Sequence, residues 1–288
     1  MFTLENQELL VQINPIGAEL THVIEQKSGF DFIWNDERWP KHAPILFPAI
    51  GRSTKDQYLI DGKTYPMQQH GFATDYEFQV LNDEVDTLTL ELKANDQTRQ
   101  SYPFAFNFQV TYHLSGKNLS VVFKVTNQDQ KELSFSLGFH PAFNLPGIFE
   151  DYSLAFSPEN QVLKQFEIVK NPFPYRSGKQ KVADKPVSNL QLTRPFFEKG
   201  LVILDNDINV VELTSNSSNY AVKVKMADFP YLCLWTKEDI ALPYLCIEPF
   251  QGLPDVIDQE QELLQKEGNI KLAAGKSADY QVQLSFEN

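Results

Sequence analysis

Cysteine is scarce in this chain. There are two, Cys233 and Cys246, and they form no CxxC pair. That excludes a zinc ribbon and a disulfide scaffold; both sit on apolar, strand-like segments and read as buried thiols. Positive charge is also short: 25 Lys and Arg against 38 Asp and Glu give a net charge of −13 with no basic block. Such a chain is poorly suited to a phosphate backbone or an anionic lipid surface, so neither nucleic acid nor membrane is expected as a partner. Long hydrophobic runs are missing. The most apolar short stretch, residues 43–50, is interrupted by Pro48 and is far too short to span a bilayer. Glu5 and Glu8 stand where a secretion signal would need a positive start and an apolar run. A soluble, cytoplasmic protein is the expectation. There is no GxGxxG, no phosphate-loop lysine motif and no cysteine cluster. Helical periodicity is scarce too. Its best candidate is the short stretch 258–266, "DQEQELLQK".

What the chain does have is alternation. Leu88, Leu90 and Leu92 share one face, as do Phe106, Phe108, Val110, Tyr112 and Leu114. After Ser115-Gly116-Lys117-Asn118 follow Leu119, Val121, Phe123 and Val125, and the two runs read as a hairpin. Val222, Val224 and Met226 continue the pattern, and Tyr280, Val282, Leu284 and Phe286 close it. With 22 Phe and 11 Tyr, these runs favour strands. No βαβ rhythm occurs, so a doubly wound parallel sheet is not expected. The polar, Pro-containing stretch 171–189 reads as a surface excursion, because strand patterns resume after it. The fold class expected is all-β: one large twisted antiparallel β-sandwich with apolar inner faces, forming a single domain over residues 1–288.

Five histidines are present. His22 lies in a strand-like stretch, His42 in a Pro-rich loop, and His113 on the polar face of the hairpin; all three read as structural. His70, in "YPMQQHGFATD", and His140, in "SLGFHPAFNLPG", are each flanked by Gly and Phe with few charges nearby, a setting that suggests an enclosed pocket. A satisfied core histidine is an equally good local reading of each. Glu248, in "PYLCIEPFQGLPD", follows an apolar run. A carboxylate there is costly unless it is paired, hydrogen-bonded or functional. Arg52, in "ILFPAIGRSTKDQY", follows a glycine after another apolar run and offers a five-donor fork.

Taken in order, "FPAIGR", "QHGFATD", "GFHPAF" and "CIEPFQGLPD" span residues 47–255. This ordered set resembles the aldose 1-epimerase (galactose mutarotase) superfamily, and most closely its LacX-like branch. The resemblance implies a galactose mutarotase-like supersandwich that holds a hexose in an open cleft and interconverts its α and β anomers by ring opening and reclosure. It implies His140 as general acid, Glu248 as general base, His70 as a second histidine near the ring oxygen and C1, and Arg52 as a substrate-binding arginine. Asp205, in "GLVILDND", is the candidate for the family's sugar-binding aspartate, with Gly200 the other position that could hold that slot. Such chemistry needs a carboxylate that accepts a proton and an imidazole that donates one, and no metal or redox cofactor.

Three rivals keep the same residues. A cupin-like iron site would use His70, His140 and Glu248 as a facial triad. A non-catalytic sugar-binding protein would keep the cleft without turnover. A hexose-phosphate mutarotase would need a cationic pocket, to which Arg38, Lys41 and Lys55 lie close in sequence. Aromatic residues Phe72, Phe139, Phe143 and Phe250 could wall a sugar face, although each is singly better read as core. Sequence does not specify the sugar or the oligomeric state.

Overall fold

Alternating apolar residues pair across the strands as their spacing requires. In the computed structural model, which describes residues 1–170 and 173–288, Phe106–Ser115 and Asn118–Asn127 form an antiparallel hairpin. Leu114 faces Leu119, Tyr112 faces Val121, Val110 faces Phe123 and Phe108 faces Val125. Gly116 supplies the left-handed turn between them, at φ +55°. This hairpin lies in a nine-stranded sheet, flanked by Thr87–Lys93 on one side and Ser277–Glu287 on the other. An eight-stranded sheet packs against it. Phe123 meets Phe139 with ring centroids 5.8 Å apart, and Phe47 stacks on Phe108 at 4.5 Å. A three-stranded sheet of Phe2–Glu5, Leu9–Asn14 and Glu19–Glu25 adds to this pair. One contiguous apolar cluster, reaching from Leu4 to Phe286, fills the space between. The fold is the expected all-β antiparallel sandwich.

The eight-stranded sheet decides where chemistry can occur. Its successive strands include Leu201–Asp205, Tyr231–Trp235, Tyr244–Gln251, Leu137–Phe139 and Ile45–Leu46. Leu245 and Ile247 point into the central core, with Leu232, Leu234, Val202 and Leu204 from the neighbouring strands. The alternate residues, Cys246, Glu248 and Phe250, therefore point to the outer face, as do Cys233 and Ile203. Two smaller apolar clusters cover that face, one around Phe250 and Cys233 and one around Cys246 and Tyr244. This is why Tyr244–Gln251 is buried almost end to end.

Two sequence expectations are corrected. Residues 258–266 form no helix: Asp258 takes a left-handed φ of +59°, and only Leu263–Gln265 winds into a 3-10 turn. The reason is tertiary. Lys266 is drawn into an ion pair with buried Asp255, and Leu263 into the core. Within 171–189, Asn171 and Pro172 lie outside the described residues, but Pro174–Val182 is a nine-residue strand paired with Lys164–Lys170. It ends the sheet and is mostly exposed, so it has no apolar alternation to reveal it. Among the described residues no helix is long and apolar enough to cross a membrane.

Candidate active site

Strand register brings an acid and a base face to face. Gly138 pairs with Phe250 and Ala142 with Cys246, so His140, midway between them, stands opposite Glu248. Pro141 interrupts the ladder there, and the chain resumes pairing at Ala142–Asn144. The His140 amide is satisfied from the other side, donating to the Pro44 carbonyl at 3.0 Å. His140 Nε2 lies 3.2 Å from Glu248 Oε2. Both residues are enclosed, at 7% and 1% exposure. His140 Nδ1 and Glu248 Oε1 are buried without a protein partner. Such atoms are costly unless something else satisfies them. Burial pushes the Glu248 carboxyl well above its usual range, with the facing Cys233 thiol acting weakly in the opposite direction. Burial pushes the His140 imidazole down to about 3, and His70 adds to that. The empty pair thus favours its uncharged form, with the proton on the carboxyl.

His70 arrives on a strained turn. Its own φ is +67° and that of Gly71 is +76°, in the left-handed region that a histidine seldom adopts. Its N–H donates to the Gly51 carbonyl at 2.8 Å, and the Gly51 N–H donates to His70 Nδ1 at 3.1 Å. That second bond leaves the ring proton on Nε2, which is then a donor and lies 3.2 Å from the Gln69 side-chain amide. Phe72 and Ala73 both donate to the Phe47 carbonyl, locking this turn to the one that carries Arg52. The His70 and His140 rings lie 5.8 Å apart, edge to face. His70 keeps part of its surface open to the cavity, yet the atoms crowded around it, with Lys41's charge as a smaller effect, lower its pKa to about 4.

These side chains line a cavity of about 600 Å³, within the range for small-molecule sites. Arg52 lies on its wall, its Nε and Nη2 bonded to Asp56 at 2.5 and 2.9 Å and its guanidinium 3.5 Å over the Phe173 ring. Asp56 raises the Arg52 pKa further. Beneath this turn, Asp255 accepts from the Thr54 N–H at 2.8 Å, pairs with Lys266 at 2.7 Å, and donates its own N–H to the Arg52 carbonyl.

Asp205 is not brought to the cavity. By register it faces Tyr231, which faces Phe250, so it stands two strands across and one row along from Glu248. Its carboxylate accepts instead from Gln180. Gly200 does line the cavity, and a Cβ added there would come within 3.0 Å of Glu238 Oε1. Glu238, paired with Lys170, thus occupies the space a longer side chain at 200 would enter. Sequence reasoning missed Glu238, which sits in a polar loop, and also Trp39 and Trp235. Those two rings flank His140 with centroids at 5.6 and 5.9 Å, and Trp34 donates to the Trp39 carbonyl. The signal was available: all three tryptophans of the chain gather here. Phe250 lines the cavity, whereas Phe72, Phe139 and Phe143 belong to the core. His22, His42 and His113 pair with Asp31, Glu19 and Asp86 away from it.

The structure thus sets a buried histidine–carboxylate pair beside a cavity of about 600 Å³ in an antiparallel sandwich. The profile of the aldose 1-epimerase family matches residues 1–271. The chromosomally encoded protein LacX of Lactococcus lactis subsp. lactis is 31% identical over 274 residues, covering 89% of each chain. A galactose mutarotase-like protein from Lactobacillus casei superposes over 100% of both chains with a TM-score of 0.95 and 37% identity. A galactose mutarotase related enzyme from Lactobacillus acidophilus gives 0.92 and 31%, over 100% of this chain and 97% of its own. The chain belongs to the aldose 1-epimerase family, a family of sugar isomerases.

The strained turn generates a test of the site's construction. A Cβ at Gly71 would lie 2.2 Å from the Phe47 carbonyl oxygen, whereas one at Gly29, with a similar φ of +73°, would meet nothing within 4 Å. Gly29→Ala should cost about 1–2 kcal/mol from backbone strain alone. Gly71→Ala should cost at least about 2 kcal/mol more, measured by urea denaturation of the two variants side by side.

Proposed function

We infer that this protein is a cytoplasmic, cofactor-independent aldose 1-epimerase that interconverts the α and β anomers of a hexose. The observation that carries this reading is the buried His140–Glu248 contact of 3.2 Å at the cavity, with one unpartnered polar atom on each residue. Anomers exchange through the open-chain aldehyde. Opening removes the proton from the C1 hydroxyl and delivers one to the ring oxygen. Glu248 takes the first and His140 gives the second; after rotation about C1–C2, the roles reverse and the ring closes on its other face. Each positioned group contributes on the order of 10² to 10⁴ in rate.

The pair needs only one proton in total. As carboxylate and imidazolium it is ready to open the ring; as carboxylic acid and imidazole it is ready to close it. His70 Nε2–H donates to the sugar near C1 and the ring oxygen, and Arg52 holds a hydroxyl. Glu238, with Lys170, takes the hydroxyl-accepting part first expected of Asp205. Trp39 and Trp235 supply flat walls on which the C–H face of a pyranose can rest. Four cations line the cavity; Arg52 and Lys170 are engaged by Asp56 and Glu238, while Lys41 and Lys199 form no ion pair among the described residues. The wall therefore favours neither a neutral nor a phosphorylated sugar.

Polarimetry on freshly dissolved α-D-glucose and α-D-galactose tests the roles. Glu248→Gln and His140→Asn should each lower kcat/KM by about 10² or more with unchanged circular dichroism. Unaltered rates in both would end the assignment. Because His140 is pushed down to about 3 and Glu248 up, the one-proton form survives acidification past the ordinary imidazole pKa of about 6.5. Activity should therefore persist well below that pH, with its alkaline limit set by the raised carboxyl. An acid limb centred near the free imidazole value would contradict this. Sugar binding should also change tryptophan fluorescence, and Glu248→Gln should keep that response; a response without mutarotation in the wild type would mark a binding protein.

A further inference from the structure

Cys246 has no part in the chemistry above, yet it lies beside it. On the strand Tyr244–Gln251 it is two residues before Glu248 and points to the same outer face. Its cross-strand partner is Ala142, two residues after His140, and both Cys246 and Ala142 are fully buried. One donor atom from each of Cys246, His140 and Glu248 lies within 4.8 Å of the others, and all three residues are buried. Independently of the thiol, His140 Nδ1 and Glu248 Oε1 are buried polar atoms with no protein partner.

We propose that Cys246, His140 and Glu248 form a binding site for a borderline-soft divalent cation of the zinc type, and that occupation of this site switches the acid–base pair off. The donor set decides the class of ion. Thiolate, imidazole and carboxylate together suit Zn²⁺, whereas Mg²⁺ and Ca²⁺ seek oxygen alone. Three protein donors leave a fourth position for water or another ligand, and His140 and Glu248, which line the cavity, mark the side from which the ion would enter. Zinc bonds of about 2.0–2.3 Å place neighbouring donors roughly 3.5 Å apart, so the three side chains must close in by about 1 Å. The site is accordingly latent and weaker than a structural zinc centre. On binding, the Cys246 thiol loses its proton to solvent as the metal–sulfur bond forms, and any proton on the Glu248 carboxyl leaves too; nothing is oxidised. The ion inhibits because it occupies the lone pairs that move protons to and from the sugar. This last half rests on the function proposed above; the binding half does not.

The test is a Co²⁺ titration of tag-free protein, followed by displacement with Zn²⁺. The expected result is a thiolate-to-cobalt charge-transfer band in the near ultraviolet that Zn²⁺ bleaches. The band disappears in Cys246→Ser and survives in Cys233→Ser, whose thiol faces Glu248 but lies outside the trio. In parallel, Zn²⁺ slows mutarotation and EDTA restores it. Cys246→Ser keeps the basal rate and needs about tenfold more Zn²⁺ or greater. Should Cys246→Ser misfold, Cys246→Ala serves the same comparison, with circular dichroism as the control. No charge-transfer band, a band that survives both substitutions at Cys246, or equal inhibition by Mg²⁺ would overturn the proposal. If the protein shows no mutarotation at all, the cobalt spectrum still decides the site, and only the functional reading fails.

Discussion

The contact between His140 and Glu248 governs the arrangement of everything around it. A carboxyl at 1% exposure is costly unless its atoms find partners. Here one oxygen meets an imidazole across the sheet and the other meets no protein donor. The fold tolerates this because the rest of the sheet is so well provided. Leu245 and Ile247 on the same strand, with Leu232, Leu234 and Phe139 on its neighbours, belong to one continuous core. The stability of that core offsets the buried carboxyl on the opposite face. Register does the positioning. The break at Pro141 frees His140 from ladder duty but keeps it opposite Glu248, because pairing resumes two residues later without a shift.

Strain and ion pairing hold the second tier in place. His70 is kept in a left-handed conformation by bonds in both directions with Gly51, and Gly71 lets the turn approach the Phe47 carbonyl. The same Gly51 begins the turn that carries Arg52, and Asp255 fastens that turn from below while itself bound to Lys266. Arg176 adds a bond to the Pro254 carbonyl next to it. A buried ion pair gives little net stability, but it fixes geometry when every partner is present. Arg52 and His70 thereby become two ends of one rigid unit.

Much of this was legible in the sequence, for identifiable reasons. Period-two alternation revealed the strands that face one apolar layer, because burial of every second residue leaves that trace. Glu248 stood out because an ionisable group inside an apolar run needs a reason, whereas His140 read equally well as a core residue until the resemblance of the ordered motifs singled it out. The rest was hidden by tertiary context. Pro174–Val182 ends a sheet and has little to bury, so its composition reads as loop. Residues 258–266 carry a helical pattern that the demands on Leu263 and Lys266 override. Asp205 shows where alternation stops informing: it faces the correct side of the sheet, but no local pattern says how many strands separate it from Glu248. Trp39, Trp235 and Glu238 come from loops or strand ends, where position depends on neighbours distant in sequence.

The unusual electrostatics of the pair follow from its enclosure and suit a reversible reaction. A dry cavity disfavours carboxylate with imidazolium relative to acid with imidazole. In the proposed chemistry, ring opening converts the first state into the second, so it removes two buried charges as it proceeds; closing restores them. An enzyme that must work equally in both directions gains nothing from stabilising either state strongly. It needs the two tautomers close in free energy. The lone pairs at His140 Nδ1 and Glu248 Oε1 are buried and have no protein partner, the condition under which a small ligand gains most by satisfying them.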